Sequence, residues 1–405
     1  MINYLEKVSD KEKTYNLSIK DCFGINVAIN DEIQSCFKRN YIRVLSRSGV
    51  KQHYYVNNSF YYYVKDGNLY KSLKSGDVLI ENIGSFTPAV CQVRMGGEIK
   101  TLFVGEKSFF EDGKRVDLPP AQIAKVHNGG LYTAFDNVIT LPSKFNFELN
   151  QTSLDVVGTI GINSNSGKIL SLISKKDCLL IICERAIYTL KTIGEVYEYQ
   201  LEKLSLPVID VIGQSIVEIR DKVYMVSGGK LMQFCDGKLQ VISNSHLNDL
   251  KFEVLSFGAE NKGVYSLPIS IDGKKALYFY DALDKSQCFF SFYGIPTTDG
   301  NILALNNALY VIKKEKSNEN KTLISKKMNF SSNNFKALKS ISFDSLTSGE
   351  CVIEGDFGSK VYNFKKGNNK FNFNLFSKWF IFQFSSKEQD FLIKNITIKY
   401  NVKGE

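Results

Sequence analysis

Histidine and tryptophan are scarce in this chain: 3 and 1 residues respectively in 405. His53, His127 and His246 form no H-x-x-x-H or H-E-x-x-H spacing, which removes the usual histidine metal sites. His53 and His127 read as ordinary strand-end residues. The 8 cysteines (Cys22, Cys36, Cys91, Cys178, Cys183, Cys235, Cys288 and Cys351) include no C-x-x-C pair, and several sit inside apolar runs. They are expected to be small buried hydrophobes of a protein made in a reducing cytoplasm, not a disulfide framework or a zinc site. No window approaches the roughly 20 uninterrupted apolar residues of a membrane helix. The start, Met1-Ile2-Asn3-Tyr4-Leu5-Glu6-Lys7, has no apolar core of a signal peptide. The sequence therefore predicts a soluble product with no membrane segment.

Nucleotide-binding and nucleophile motifs are missing as well. There is no G-x-S-x-G elbow, no P-loop and no G-x-G-x-x-G opening a helix. Ser166-Gly167-Lys168 and Ser227-Gly228-Gly229-Lys230 lie between β-rich runs and read as hairpin turns. Helical periodicity is confined to two short stretches, Asp31 to Phe37 and Ser245 to Leu250.

What is abundant is aromatic: 29 Phe and 21 Tyr, a composition suited to pleated surfaces. A strand-like phrase ending in Tyr recurs beside tight-turn residues. It reads Leu69-Tyr70, Leu131-Tyr132, Val223-Tyr224, Leu277-Tyr278 and Leu309-Tyr310. Asp66-Gly67, Gly96-Gly97, Asp112-Gly113 and Gly129-Gly130 mark hairpins, because turns joining twisted strands need positive φ. The spacing divides the chain into units near 41–83, 84–120, 121–160, 161–205, 206–247 and 248–296, with a partial unit at 297–316. Units of roughly 35 to 45 residues are the spacing of four-stranded propeller blades.

After a lysine-rich stretch from Lys313 to Lys339, read as a solvated linker, strict alternation appears at Phe371, Phe373, Leu375; at Phe380, Phe382, Phe384; and at Ile396, Ile398, Tyr400. Period two means strands with one buried and one wet face. The fold expected is all-β: a six- or seven-bladed β-propeller over 41–316, followed by a linker and small β-sandwich over 317–405. Residues 1–40 are expected to be an arm or a ring-closing strand.

The search for chemistry yields no catalytic, cofactor-binding or metal residues, and no cofactor. Asp136, Asp155, Glu184, Asp210, Glu218 and Asp249 are scattered, without the repeated carboxylate that a propeller glycosidase would aim into its channel. Asp281-Ala282-Leu283-Asp284 lacks the grammar of a calcium loop. Tyr61-Tyr62-Tyr63 and Phe289-Phe290-Ser291-Phe292-Tyr293 read as sheet core before they read as stacking platforms for bases or sugars.

Two stretches go beyond general β-grammar. One runs from Gly167-Lys168-Ile169 through Glu184-Arg185-Ala186-Ile187-Tyr188 to Ser215-Ile216-Val217-Glu218 and Asp221-Lys222-Val223-Tyr224, closing at Phe234-Cys235-Asp236-Gly237. The other runs from Ser325-Lys326-Lys327-Met328-Asn329-Phe330 through Gly355-Asp356-Phe357-Gly358 to Ile393-Lys394-Asn395-Ile396-Thr397-Ile398. Together they resemble the propeller and following domain of tailed-bacteriophage tail structural proteins of the hub, adaptor or nozzle kind. The resemblance covers about two fifths of the chain, and Gly355-Asp356 stands where that pattern has Asp-Gly. It implies a non-enzymatic virion component, assembled in the host cytoplasm as a homo-oligomeric ring. Its partners would be other tail or head-to-tail connector proteins, with passive contact to translocating DNA. A glycan- or receptor-binding propeller is the second reading, and a glycoside hydrolase the third.

Overall fold

The computed structural model describes residues 12–18, 22–29, 34–44, 54–57, 60–73, 75–95, 97–142, 156–193, 198–242, 245–290, 293–297, 302–304, 308–314 and 318–402. The fold is all-β: the described residues form strands, two short 3-10 turns and no α-helix. The second of those turns is His246–Asp249, within the stretch where helical periodicity was noted. The other such stretch is different, since Gln34–Val44 is a strand.

The chain forms two compact units. One comprises Ile42–Gly273 and Gly294–Leu309, the other Met1–Tyr41, Lys274–Tyr293 and Tyr310–Glu405. We call them the repeat unit and the C-terminal unit.

Among the described residues the repeat unit contains five successive four-stranded antiparallel sheets, each a meander in chain order. The first is Tyr54–Asn57, Phe60–Lys65, Asn68–Leu73 and Gly76–Asn82. The second is Ala89–Met95, Glu98–Val104, Ser108–Phe110 and Arg115–Val116. The third is Ile123–His127, Gly130–Phe135, Val138–Pro142 and Val156–Gly161. The fourth is Ile169–Ser174, Leu179–Cys183, Ile187–Ile193 and Glu198–Lys203. The fifth is Val211–Ile219, Lys222–Ser227, Lys230–Cys235 and Lys238–Val241. Beyond them Phe252–Val254 and Ala259–Asn261 both pair with Val264–Ile271.

Turn chemistry sets these hairpins. Asp66-Gly67 and Asp236-Gly237 have φ of 51° and 75°, and of 50° and 72°. Both residues are left-handed, as two-residue turns between twisted strands require. The third sheet turns one residue earlier than the sequence suggested, at Asn128-Gly129, and Gly130 opens the next strand. Ser227-Gly228-Gly229-Lys230 is the hairpin expected, but Ser166-Gly167-Lys168 is not one. It belongs to the linker between the third and fourth sheets, where Ser164–Ser166 makes a 3-10 turn and the Ser166 hydroxyl meets the Tyr188 hydroxyl at 2.7 Å.

Alternate side chains of each inner strand divide between two neighbouring sheets. In the fourth sheet Leu179, Ile181 and Cys183 pack with Tyr132, Ala134, Ile139 and Leu141 of the third. Leu180 and Ile182, from the same strand, pack with Val211, Val223, Met225 and Phe234 of the fifth. In the same way Leu102 and Val104 face Leu131 of the third sheet, while Phe103 and Phe109 join Tyr62, Val64 and Leu69 of the first. The apolar half of the recurring phrase is therefore core, with Leu69, Val223, Leu277 and Leu309 all at 0% exposure.

Linkers are pinned to turns by a repeated backbone bond. Ile83, Ser166 and Ile209 each accept, through their carbonyls, from a turn between second and third strands: from Lys107 N–H at 3.1 Å, Arg185 N–H at 3.0 Å and Gly228 N–H at 2.7 Å.

Among the described residues the C-terminal unit has two sheets that share an apolar core. In the first sheet Lys13–Leu17 pairs with Ile393–Val402, which pairs with Lys336–Ser345, which pairs with Gly367–Ser377. The second runs in the order Cys22–Ile25, Lys321–Ser325, Ile381–Ser386, Gly349–Gly355, Gly358–Phe364, with Gln287–Phe290 beside Cys22–Ile25. Leu338, Ile341, Phe343, Ile396 and Ile398 of the first sheet share a core with Leu323, Ile353, Phe382 and Phe384 of the second.

Three features differ from the sequence expectation. The described part of residues 1–40 contributes strands to this C-terminal unit. Lys274–Tyr293 belongs to it too, although that segment falls inside the 41–316 span. Lastly, the lysine-rich stretch is not a solvated linker throughout. Lys321 and Lys336 open strands and are fully buried, because their ammonium groups close onto backbone carbonyls. Lys321 Nζ donates to the carbonyls of Glu319 (2.9 Å) and Glu388 (2.7 Å); Lys336 Nζ donates to those of Ser332 and Lys378, the latter at 2.7 Å. Hydrogen bonding of this kind is what makes a buried charge tolerable.

Candidate functional site

The first strands of consecutive sheets in the repeat unit lie side by side, Ala89–Met95 by Ile123–His127, then Ile169–Ser174, then Val211–Ile219. Their polar side chains meet where sequence separation would not suggest it. Glu218, on the first strand of the fifth sheet, has Lys175 Nζ at 2.8 Å from one carboxylate oxygen and Lys125 Nζ at 3.8 Å from the other. Lys175 follows the first strand of the fourth sheet, and Lys125 lies on that of the third. Lys175 also donates to the Asp221 carbonyl at 3.1 Å. One carboxylate thus ties together three sheets and leaves an excess of one positive charge.

On the second sheet Cys91 lies within the field of Lys125. Burial pushes its thiol up to about 12, and the lysine charge opposes that rise without overcoming it. A thiol held there is protonated at neutral pH and is not a nucleophile.

His127 closes the first strand of the third sheet, with Nδ1 2.9 Å from Ser174 Oγ and Nε2 3.3 Å from Asn128 Nδ2. The Asn128 amide nitrogen faces Nε2, which suits the tautomer that carries its proton on Nδ1 and donates it to the serine oxygen. That polarity is opposite to the one that activates a serine, in which the imidazole accepts the hydroxyl proton. Burial lowers the His127 pKa from its ordinary value, favouring the neutral ring.

The other residues weighed in the sequence hold separate positions. Asp136 is in a turn of the third sheet, 3.0 Å from Lys168. Glu184 occupies the corresponding turn of the fourth sheet, its carbonyl accepting from Val211 N–H. Asp210 precedes the fifth sheet, and Asp249 ends a 3-10 turn. Asp281 Oδ1 accepts from Leu283 N–H at 2.9 Å, a local turn. Tyr62 and Tyr63 are buried and bonded to Glu111 and Asp77, each at 2.7 Å. Asp155 and His53 lie outside the described residues. Among the described residues no group of three or more His, Cys, Asp or Glu is placed to hold a metal ion, and no helix is long and apolar enough to cross a membrane.

No family model matches the chain, and no curated protein matches it in sequence. Among solved structures it is similar to PorZ, a bacterial surface component of the type IX secretion system of Porphyromonas gingivalis. The TM-score is 0.41 at 10% identity, over 82% of this chain and 46% of that one. It is also similar to the extracellular domain of the putative hybrid two-component system BT4673 from B. thetaiotaomicron. There the TM-score is 0.43 at 11% identity, over 84% of this chain and 47% of that one. The chain spans about half the length of these two structures. A likeness at this level carries no argument about activity or partners.

What sequence reasoning missed was the grouping of Lys125, Lys175 and Glu218. Glu218 was among the carboxylates considered, but its two lysines belong to other sheets and follow no local spacing.

Proposed function

We propose that the repeat unit is a β-propeller of six or seven blades, that the C-terminal unit is a β-sandwich, and that the chain is a non-enzymatic structural component of a bacteriophage virion tail. The observation that carries this reading is the serial stacking of four-stranded sheets whose first strands adjoin and whose inner residues alternate between two neighbours. Such a body is stiff, because each sheet buries its neighbour's apolar face, while turns and outer strands stay free to dock. The outer strands Gly76–Asn82 and Lys238–Val241 carry exposed apolar side chains, Val78, Leu79 and Val241. Sheet edges of that kind invite a partner.

The first-strand polar groups favour a structural role in the same way. The lysine–glutamate–lysine group reads as a pin across three sheets, and the His127–Ser174 pair as another across two. The resemblance of Ser215-Ile216-Val217-Glu218 and of the closing Ile396-Thr397-Ile398 supplies the tail assignment, and with it a ring of copies and tail or connector proteins as partners.

The test is mass measurement of the purified chain in solution, together with mass spectrometry and micrographs of purified particles. The reading predicts a ring-forming chain present in particles at fixed stoichiometry. A persistent monomer absent from particles overturns it; cleavage of a polysaccharide by that monomer would establish the hydrolase alternative instead.

A further inference from the structure

The charge of this chain is not evenly spread. Residues 310–405 hold 17 lysines, no arginine and 9 carboxylate side chains, a formal +8 of the chain's +9. Within the C-terminal unit a group of these lysines is interleaved with rings. Lys327 Nζ lies 4.2 Å from the centroid of Trp379, the chain's single tryptophan, and Lys378 Nζ lies 5.2 Å from that of Phe335. Phe335 is 43% exposed and Trp379 half-buried, while Lys326, Lys327 and Lys378 are exposed.

The platform is built rather than incidental. Met328 and Phe380 exchange backbone bonds of 2.9 and 3.0 Å, which sets Lys327 beside Trp379. The buried Lys336 ammonium clamps the Ser332 carbonyl to that of Lys378, joining the segment that carries Phe335 to the one that carries Trp379. Asp356 accepts from Lys378 N–H at 2.8 Å and from the Ser377 hydroxyl at 3.1 Å, fixing the second segment. Asn329, Ser331, Asn333 and Asn334 lie along the first segment with exposed polar side chains.

We propose that this patch is a binding site for an acidic polysaccharide, meaning a chain of sugars bearing carboxylate or phosphate groups. A pyranose presents an apolar C–H face to an aromatic ring and its hydroxyls to amides such as those of Asn333 and Asn334. Its anionic group is matched by the ammonium ions of Lys327 and Lys378, which already sit over the rings. A single-stranded nucleic acid would use the same rings, but its binding sites present a run of open ring faces to successive bases, whereas here Trp379 is half-buried and the exposed neighbours of Phe335 are the amides Asn333 and Asn334, which suit sugar hydroxyls. The excess positive charge of the region steers any polyanion towards it. The site is independent of the tail reading and of any glycan contact by the repeat unit.

The single tryptophan makes the experiment local. The full chain is titrated at low salt with oligogalacturonate, hyaluronate oligomers and a phosphate-bearing sugar polymer, with dextran and a thymidine 20-mer as comparators. Trp379 fluorescence and calorimetry are the readouts. At least one acidic glycan is expected to bind and shift the fluorescence, dextran is not, and the oligonucleotide is expected to bind more weakly. The double variant K327Q/K378Q, whose side chains are exposed, should weaken glycan binding about ten-fold at an unchanged circular dichroism spectrum, and F335A should weaken it as well. Failure of all three acidic glycans to bind, tighter binding of the oligonucleotide, or affinity unmoved by the double variant each overturns the proposal.

Discussion

The two units bury their strands by different rules. Leu179–Cys183, the second strand of the fourth sheet, is buried at every position, and Val223 to Ser227 in the fifth sheet is buried likewise. In the C-terminal unit Ile381–Ser386 alternates between buried and half-buried, and Ile393–Val402 between buried and wetter positions. A sheet with other sheets on both faces needs apolar residues of both parities, whereas one of a pair of sheets around a single core needs only one parity. The same chain therefore contains both sequence signatures, and each marks how many faces of a sheet are covered.

Substitution by parity should break the comparison with the largest effect. Ile181→Ala and Ile182→Ala point into different interfaces, so each should cost about 2–5 kcal/mol. In Ile381–Ser386 the cost should depend on parity: Phe384→Ala about 3–5 kcal/mol and Gln383→Ala within about 0.5 kcal/mol. Urea unfolding followed by circular dichroism measures all four. A cheap Ile181→Ala or Ile182→Ala would mean that one face of that sheet is not covered.

Polar burial also divides the units, and the next effect in size tests it. The C-terminal unit buries whole ammonium groups at its strand starts, and Lys336→Ala should cost about 1–3 kcal/mol by leaving the Ser332 and Lys378 carbonyls unpaired. Lys336→Met keeps the volume but still strips those carbonyls, so recovery by Met beyond half the loss would show that packing, not hydrogen bonding, is what the lysine provides. This is where the sequence was least legible. A lysine among Asn and Ser suggests solvent, and the groups that satisfy Lys321 and Lys336 are backbone carbonyls, including those 67 and 42 residues away. The four-stranded grammar was legible because Asp66-Gly67 and Asp236-Gly237 can only turn one way, and the period-two runs Phe380, Phe382, Phe384 and Ile396, Ile398, Tyr400 show their covered face directly. The candidate site was legible only as isolated residues, since nothing local ties Glu218 to Lys125.

In the repeat unit His127 is a buried titratable group, and its effect is expected in pH rather than at a fixed pH. Its folded pKa lies below the ordinary value of 6.5 because burial penalises the charged ring, so between the two values the unfolded chain binds the extra proton. Stability should therefore fall as pH drops through 6.5 and level off below the folded value, where both states are protonated. His127→Gln, which cannot titrate, should remove this part of the pH dependence. Equal slopes of urea midpoint against pH for the two proteins would mean that the ring titrates as freely folded as unfolded.

The smallest effect belongs to the ion group on the first strands, and it sharpens what a pin across sheets contributes. Lys175 and Glu218 retain 22% and 30% of their side-chain exposure, so water screens them and a coupling of about 0.5–1 kcal/mol is expected from a double-mutant cycle of Lys175→Met with Glu218→Gln. At 3.8 Å and with greater exposure, Lys125 should couple to Glu218 more weakly still. The two couplings together remain below a single isoleucine deletion, which places the strength of the stack in its apolar interfaces. The polar group then holds one point of each of three sheets together, at Lys125, Lys175 and Glu218. Raising the salt concentration should shrink the Lys125 coupling before the Lys175 one, whose 2.8 Å hydrogen bond is the less screened. Equal loss of both would show that Lys175 is held by its charge alone.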